Sequence, residues 1–308
     1  MSKFEAPRFR WSFLNPRYLH TWVGLALMYA ASWLPYRVQQ MLGRGLGKLL
    51  MKAMKSRVKV ARRNLELCFP HLTAAQREKM VEENFRHTGM ALFDTAAAWF
   101  WPDWRVRKHV KYEGLEHLHK LEAEGKGALL IAIHNLNLEL GARAFGLETP
   151  GIGVYRPNDN PVFDWIQFRG RSRSNPGMRD RKDVKGMLYD LKYGKRLWYA
   201  PDHDYGRRRS TFAPLFAVEK ACTTTGTSLL ADASGCALVP FTFTKDRQGK
   251  GYTLKIDEPL DAFPHNDPDN AAAYMNKAIE HSIMRAPEQY MWLHRRFKTR
   301  PEGDPSLY

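Results

Sequence analysis

Residues 127–133 read Gly-Ala-Leu-Leu-Ile-Ala-Ile, a run of strand length with no polar side chain. A strand that is apolar at odd and even positions alike is suited to burial on both faces, so chain must cover it above and below. Lys195-Arg-Leu-Trp-Tyr-Ala200, Ala237–Phe243 and Tyr252–Ile256 are read as further strands. A polar turn separates the last two, and helical stretches lie before, between and after the strands. The capping box Thr73-Ala-Ala-Gln76 opens a helix towards Ala98, and further helices are expected over Leu138–Phe145 and Asn270–Met284. This alternation predicts an α/β fold, a mostly parallel central sheet covered by helices.

Charge and cysteine usage exclude several classes. The 308 residues carry 48 Lys+Arg against 32 Asp+Glu, a net charge of +16. Mean hydropathy is −0.50, which excludes a multi-span membrane protein, and 16 Phe, 13 Tyr and 9 Trp exclude a disordered chain. Cys68, Cys222 and Cys236 lie far apart with no C-x-x-C. Neither a disulfide framework nor a metal site is expected, and no cofactor. The positive charge calls for nucleic acid, an anionic membrane surface or acidic ligands.

Thr21–Tyr36 contains no charge, with Arg8, Arg10 and Arg17 before it and Arg37, Arg44 and Lys48 after it. We expect a hydrophobic membrane-anchor helix, marginally spanning or lying in one leaflet, and a division into an anchor over 1–40 and a catalytic domain over 41–308. Residues 37–64 read as a basic amphipathic helix. Within it Gly43, Gly45, Gly47 and Lys48 imitate a phosphate loop, but their spacing fits no such motif and no strand precedes them. Close helix packing or a helix break explains them.

Two polar clusters follow buried strands, where parallel sheets carry their chemistry. His134-Asn-Leu-Asn-Leu-Glu139 follows the first. Histidine is the side chain suited to general-base work near neutrality, and a strand end turning into a helix can bring Glu139 to orient it. Taken alone, this spacing also fits a histidine merely hydrogen-bonded at a strand end. Asp202-His203-Asp204-Tyr205-Gly206 follows the second strand, then three arginines. Arg156 and the stretch holding Arg171 and Arg173 lie between, a basic surface for phosphate and acidic partners. With no G-x-S-x-G and no cysteine paired with a base, the substrate is expected to supply the attacking oxygen.

His134-x4-Glu139, Tyr155-Arg-Pro-Asn-Asp-Asn-Pro161, Gly170-Arg-Ser-Arg-Ser-Asn175, Trp198-Tyr-Ala-Pro-Asp-His-Asp-Tyr-Gly206 and Pro287-Glu-Gln-Tyr-Met-Trp-Leu-His-Arg-Arg-Phe297 resemble the late acyltransferases of lipid A biosynthesis, over almost the whole chain. The resemblance implies an enzyme of the inner membrane with its site facing the cytoplasm. It would transfer a fatty acyl chain, lauroyl foremost, from acyl carrier protein to a hydroxyl on a primary acyl chain of Kdo2-lipid IVA. It makes His134 the base, Glu139 its orienting partner, Arg171 an oxyanion or phosphate ligand, and Asp202 the group positioning Arg171 or the acceptor. Asn135 and Asn137 depart from the more apolar string expected after the histidine. A glycerol-phosphate acyltransferase, a basic nucleic-acid-binding module and a non-catalytic membrane scaffold remain as alternatives. No helix-turn-helix, zinc or RNP signature supports nucleic acid as a partner.

Overall fold

The computed structural model describes residues 6–308. The N-terminal half begins with five helices: α1 (Leu19–Ser32), α2 (Tyr36–Ala53), α3 (Lys55–Cys68), α4 (Ala74–Phe100) and α5 (Asp103–His109). An alternating body follows: β1 (Val110–Glu113), α6 (Leu115–Ala123), β2 (Ala128–Ile131), α7 (Leu138–Glu148), β3 (Ile152–Tyr155), α8 (Pro161–Arg171), β4 (Gly177–Asp180), α9 (Val184–Lys192) and β5 (Arg196–Tyr199). The chain closes with the hairpin β6 (Ser210–Leu215) and β7 (Val218–Thr224), then α10 (Gly226–Ser234), β8 (Ala237–Lys245), β9 (Tyr252–Ile256) and α11 (Pro268–Met284).

The seven-stranded sheet has the order β1-β9-β8-β2-β5-β3-β4. Only β8–β9 is antiparallel within it, so the expected mostly parallel α/β sheet is what forms. β2 lies at its centre with every residue buried. Ala128, Leu130 and Ala132 join one apolar cluster, whereas Leu129 and Ile131 join another. Alternate side chains point to opposite faces, so the unbroken apolar run serves two cores. The first core packs against α4 and α7, and the second against α9, α10 and α11. Thr73 caps α4 with the reciprocal Gln76 bonds of a capping box.

The N-terminal segment departs from expectation. Among the described residues, no helix is long and apolar enough to cross a membrane. The 14 residues of α1 rise about 21 Å, short of the ~30 Å hydrocarbon core. Pro35 then stands between α1 and α2, and its ring disfavours helix at the preceding residue. The anchor helix as a span is therefore corrected. Instead α1 lies along α4, with Leu25 buried and the Trp22 indole donating to the Phe13 carbonyl. Residues 1–5 of the expected anchor lie outside the described residues. Position 40 falls inside α2, and the basic stretch 37–64 is two helices broken at Met54.

The glycines of α2 explain themselves by packing. A Cβ on Gly47 would collide with the backbone of Phe85 and Arg86, and one on Gly89 with the backbone of Gly43 and Gly47. Gly43, Gly47 and Gly89 let α2 and α4 cross backbone to backbone, while Gly45 faces open space.

Candidate active site

Parallel register builds the centre of the site. In the β2–β5 pair Ile131 stands opposite Tyr199. His134 and Asp202 each follow three residues on, and their side chains meet. The Asp202 carboxylate accepts the His134 ring Nδ1–H at 2.6 Å and the His134 backbone N–H at 2.9 Å. Asp202 is fully buried. Burial alone would raise its carboxyl, but His134, His203 and the two hydrogen bonds outweigh burial and hold it below the usual carboxylate range. An ionised Asp202 accepts only, so it fixes the proton on Nδ1 and leaves Nε2 as the acceptor. Among the described residues Nε2 has no hydrogen-bond partner, and the ring lines two cavities of about 470 and 330 Å³.

Of the second pair, Arg171 lines the smaller cavity, and Glu139 holds it there. Glu139, in the first turn of α7, accepts from Arg171 Nε at 3.0 and 3.1 Å and also from Arg171 Nη2. Trp99 Nε1 at 3.3 Å and Gln167 Nε2 at 3.2 Å donate to the same carboxylate. Burial pushes the Glu139 carboxyl up, and the Arg171 charge with these hydrogen bonds pulls it back below its ordinary value. Gly170 permits this approach, because a Cβ there would strike the Trp99 indole.

All four residues singled out from the sequence therefore converge, but with partners exchanged. The reading from spacing and resemblance joined His134 to Glu139, and set Asp202 to position either Arg171 or the acceptor. The fold joins His134 to Asp202 and Arg171 to Glu139. Arg156 is exposed at the end of β3 and lines both cavities beside His134. Arg173 lines neither, and donates to the Trp99 carbonyl at 2.5 Å. Asp204 accepts from the backbone of Gly206 and Thr299 and holds the loop after β5.

Sequence reasoning missed a column of rings. His203 stacks on His134 at 3.6 Å and 10°, and His294 stacks on His203 at 4.4 Å and 13°. Burial, then His134, His294 and Arg296, outweigh Asp202 and lower the His203 imidazole to about 3, so it stays neutral. Adjacency to Asp202 was the one signal for His203, and no spacing links it to His294. His134, Asp202 and His203 offer ligand atoms within 4.8 Å of one another. The lone pairs of stacked, near-parallel rings lie in separate planes and do not converge on one ion, so the cluster suits stacking rather than chelation. Cys68, Cys222 and Cys236 are free and buried, and none lines either cavity.

The model of the bacterial lipid A biosynthesis acyltransferase family matches residues 6–299, and the chain belongs to this family of enzymes. It is an acyltransferase of lipid A biosynthesis. It is 55% identical over 302 residues to the lipid A biosynthesis lauroyltransferase of Escherichia coli (strain K12), covering 98% of this chain and 99% of that one. It is 48% identical over 305 residues to the palmitoleoyltransferase of the same organism, covering 99% of each. Its identity to the myristoyltransferase of that organism is 27% over 304 residues, covering 98% of this chain and 94% of that one.

Proposed function

We propose that the chain transfers a lauroyl group from acyl carrier protein to a hydroxyl on a primary acyl chain of Kdo2-lipid IVA, with His134 as general base. The observation that carries this reading is the Asp202–His134 hydrogen bond, which aims an acceptor nitrogen into two adjoining cavities. A reaction that joins one acyl chain to the hydroxyl of another needs two channels meeting at one base. Both cavities share Val154, Tyr155, Arg156 and Trp198 around His134, one running towards Met187 and Leu230 and the other towards Phe145 and Met178.

His134 Nε2 takes the hydroxyl proton as the acceptor oxygen bonds to the thioester carbonyl carbon. The tetrahedral intermediate expels the carrier thiolate, the C–S bond breaks, and the imidazolium proton neutralises the sulfur. No acyl-enzyme forms. Arg171, held by Glu139, stabilises the oxyanion or a substrate phosphate, and Arg156 at the mouth meets phosphate. The lauroyl chain is favoured over palmitoleoyl by the identities of 55% and 48%.

The enzyme works on the cytoplasmic face of the inner membrane. Residues 1–40 form the membrane-facing segment and 41–308 the catalytic domain. Support comes from the outer face of α1 and the turns at its two ends, where Trp11, Leu14, Leu19, Val23, Leu27 and Trp33 are exposed. Such a face, flanked by arginines, lies in the interface plane rather than across it. The +16 charge suits anionic headgroups and steers an acidic carrier protein.

The test is product mass after incubation of the protein with Kdo2-lipid IVA and mixed acyl carrier protein thioesters. One added lauroyl group is expected, and none with His134→Ala at unchanged thermal stability. Turnover by folded His134→Ala removes it as the base, and a different added mass replaces lauroyl.

A further inference from the structure

A cavity of about 1170 Å³ opens away from His134, which is not in its lining. It lies between α2, α4 and the β8–β9 turn, and Glu288–Gln289 form one wall. Gln289 also backs the His134 loop. Its carbonyl accepts the Leu136 N–H at 2.8 Å, and its side-chain amide bonds the Lys245 backbone in both directions at 2.7 and 2.9 Å. The two sites share a wall, not a cavity.

The cavity is lined by Arg37, Arg44, Lys79, Lys108, Lys245, Arg247 and Lys250 against Glu83, Asp246 and Glu288. Arg44 pairs with Glu83 at 3.4 Å, and buried Lys245 with Asp94 at 3.1 Å. The other cations form no ion pair among the described residues. Gln40 is 9% exposed, and its amide oxygen accepts from Lys245 Nζ while its Nε2 is buried with no partner among the described residues. His87 faces Lys245, Arg44 and Glu83 across the same cavity. Burial first, then Lys245 and Arg44, lower its imidazole to about 3. Unpaired cations, an unused buried donor and a histidine kept neutral first by burial and then by positive neighbours share one complement, an anion with several acceptor oxygens. Arg37 and Lys108 each stand four residues from an exposed indole, Trp33 and Trp104.

We propose that this cavity is a second phosphate-binding site, separate from the acyl-transfer site, that takes a phosphate mono- or diester. Two sources supply that chemistry, a soluble phosphate and a phospholipid headgroup.

The full chain is labelled in its histidine rings, with His87 identified by its loss in His87→Gln. It is titrated at low salt with inorganic pyrophosphate, and separately with phosphatidylcholine vesicles with and without phosphatidylglycerol. Anion binding is expected to move the His87 signal and raise its titration. Response to pyrophosphate assigns a soluble phosphate, and response to phosphatidylglycerol vesicles alone assigns the headgroup. Lys79→Gln/Lys108→Gln is expected to weaken binding roughly tenfold or more. Lys126→Gln/Lys192→Gln removes the same charge at the opposite end of the sheet, and less than about a twofold change is expected. A His87 signal unmoved by every probe, or equal weakening in both double variants, overturns the proposal. Acyl transfer is not the readout, so this site and the proposed reaction fail or stand separately.

Discussion

Asp202→Asn separates the two pairings of the site. Asp202 meets two donors, the His134 backbone N–H on Oδ2 at 2.9 Å and the ring Nδ1–H on Oδ1 at 2.6 Å. Asparagine has one acceptor and one donor end. The backbone N–H can only donate, so it claims the amide oxygen and turns the NH₂ towards Nδ1. The ring must then accept there and carry its proton on Nε2, where it is useless as a base. The opposite amide orientation sets donor against donor at the backbone, at a cost of about 1–3 kcal/mol. Loss of the carboxylate charge beside the forming imidazolium adds roughly 1.5–3 kcal/mol. Together these predict about 2.5–6 kcal/mol on the barrier, a fall in turnover of roughly 10²- to 10⁴-fold. The analogous exchange in the Ser-His-Asp template costs about 10⁴. Initial rates by product mass, with ring ¹⁵N spectra for the tautomer and thermal melts for folding, measure it. Asp202→Asn within about threefold of the unmodified rate, with the ring proton still on Nδ1, would refute the argument. Glu139→Gln should differ in kind. It leaves the Arg171 guanidinium without its counter-charge in a largely buried place, so stability falls by about 3–5 kcal/mol along with the rate.

Other expectations concern the frame around the site. Gly47→Ala should destabilise the chain by about 3 kcal/mol, because Phe85 backbone occupies the added methyl's space, whereas Gly45→Ala should stabilise it by up to about 1 kcal/mol. Denaturant midpoints distinguish the two. The imidazoles of His87 and His203 lie at about 3 in the fold against an ordinary 6.5. The unfolded chain therefore binds more protons between these values, so the stability each neutral ring contributes is present above pH 6.5 and lost as pH falls towards 3. His87→Gln should flatten the dependence of melting temperature on pH between 6.5 and 4, and an unchanged slope would count against it. Leu19→Glu/Val23→Glu/Leu27→Glu charges the exposed face of α1 without touching buried Leu25. Sedimentation with vesicles should fall at least tenfold while the melting temperature stays within a few degrees.

Local sequence determined the parts whose physics is local. An apolar run at both parities required a doubly covered strand, and β2 is one. Thr73 and Gln76 fixed the start of α4 through bonds closed within one turn. The glycines at 43, 45 and 47 were compatible with close packing or a helix break, and α4 decides for packing at Gly43 and Gly47. Strand identity was legible where the apolar signal was strong and lost where it was not. β3 carries Gly153 within four residues, and β4 reads Gly-Met-Arg-Asp at the sheet edge, where one neighbour suffices and side chains stay partly exposed. The 16 uncharged residues from Thr21 measured hydrophobicity but not length of helix, which Pro35 cut.

The partners of the candidate site's side chains belonged to tertiary structure alone. His134 and Glu139 are near in sequence, and nearness in sequence suggested a bond. The parallel register of β2 and β5 instead sets Asp202 beside His134 across 68 residues, and the end of α8 brings Arg171 to Glu139 across 32. Sequence names the chemical groups, because each needs a particular side chain. Which group faces which is set by strand order and register, and these come from cooperative burial of the whole sheet rather than from any one segment.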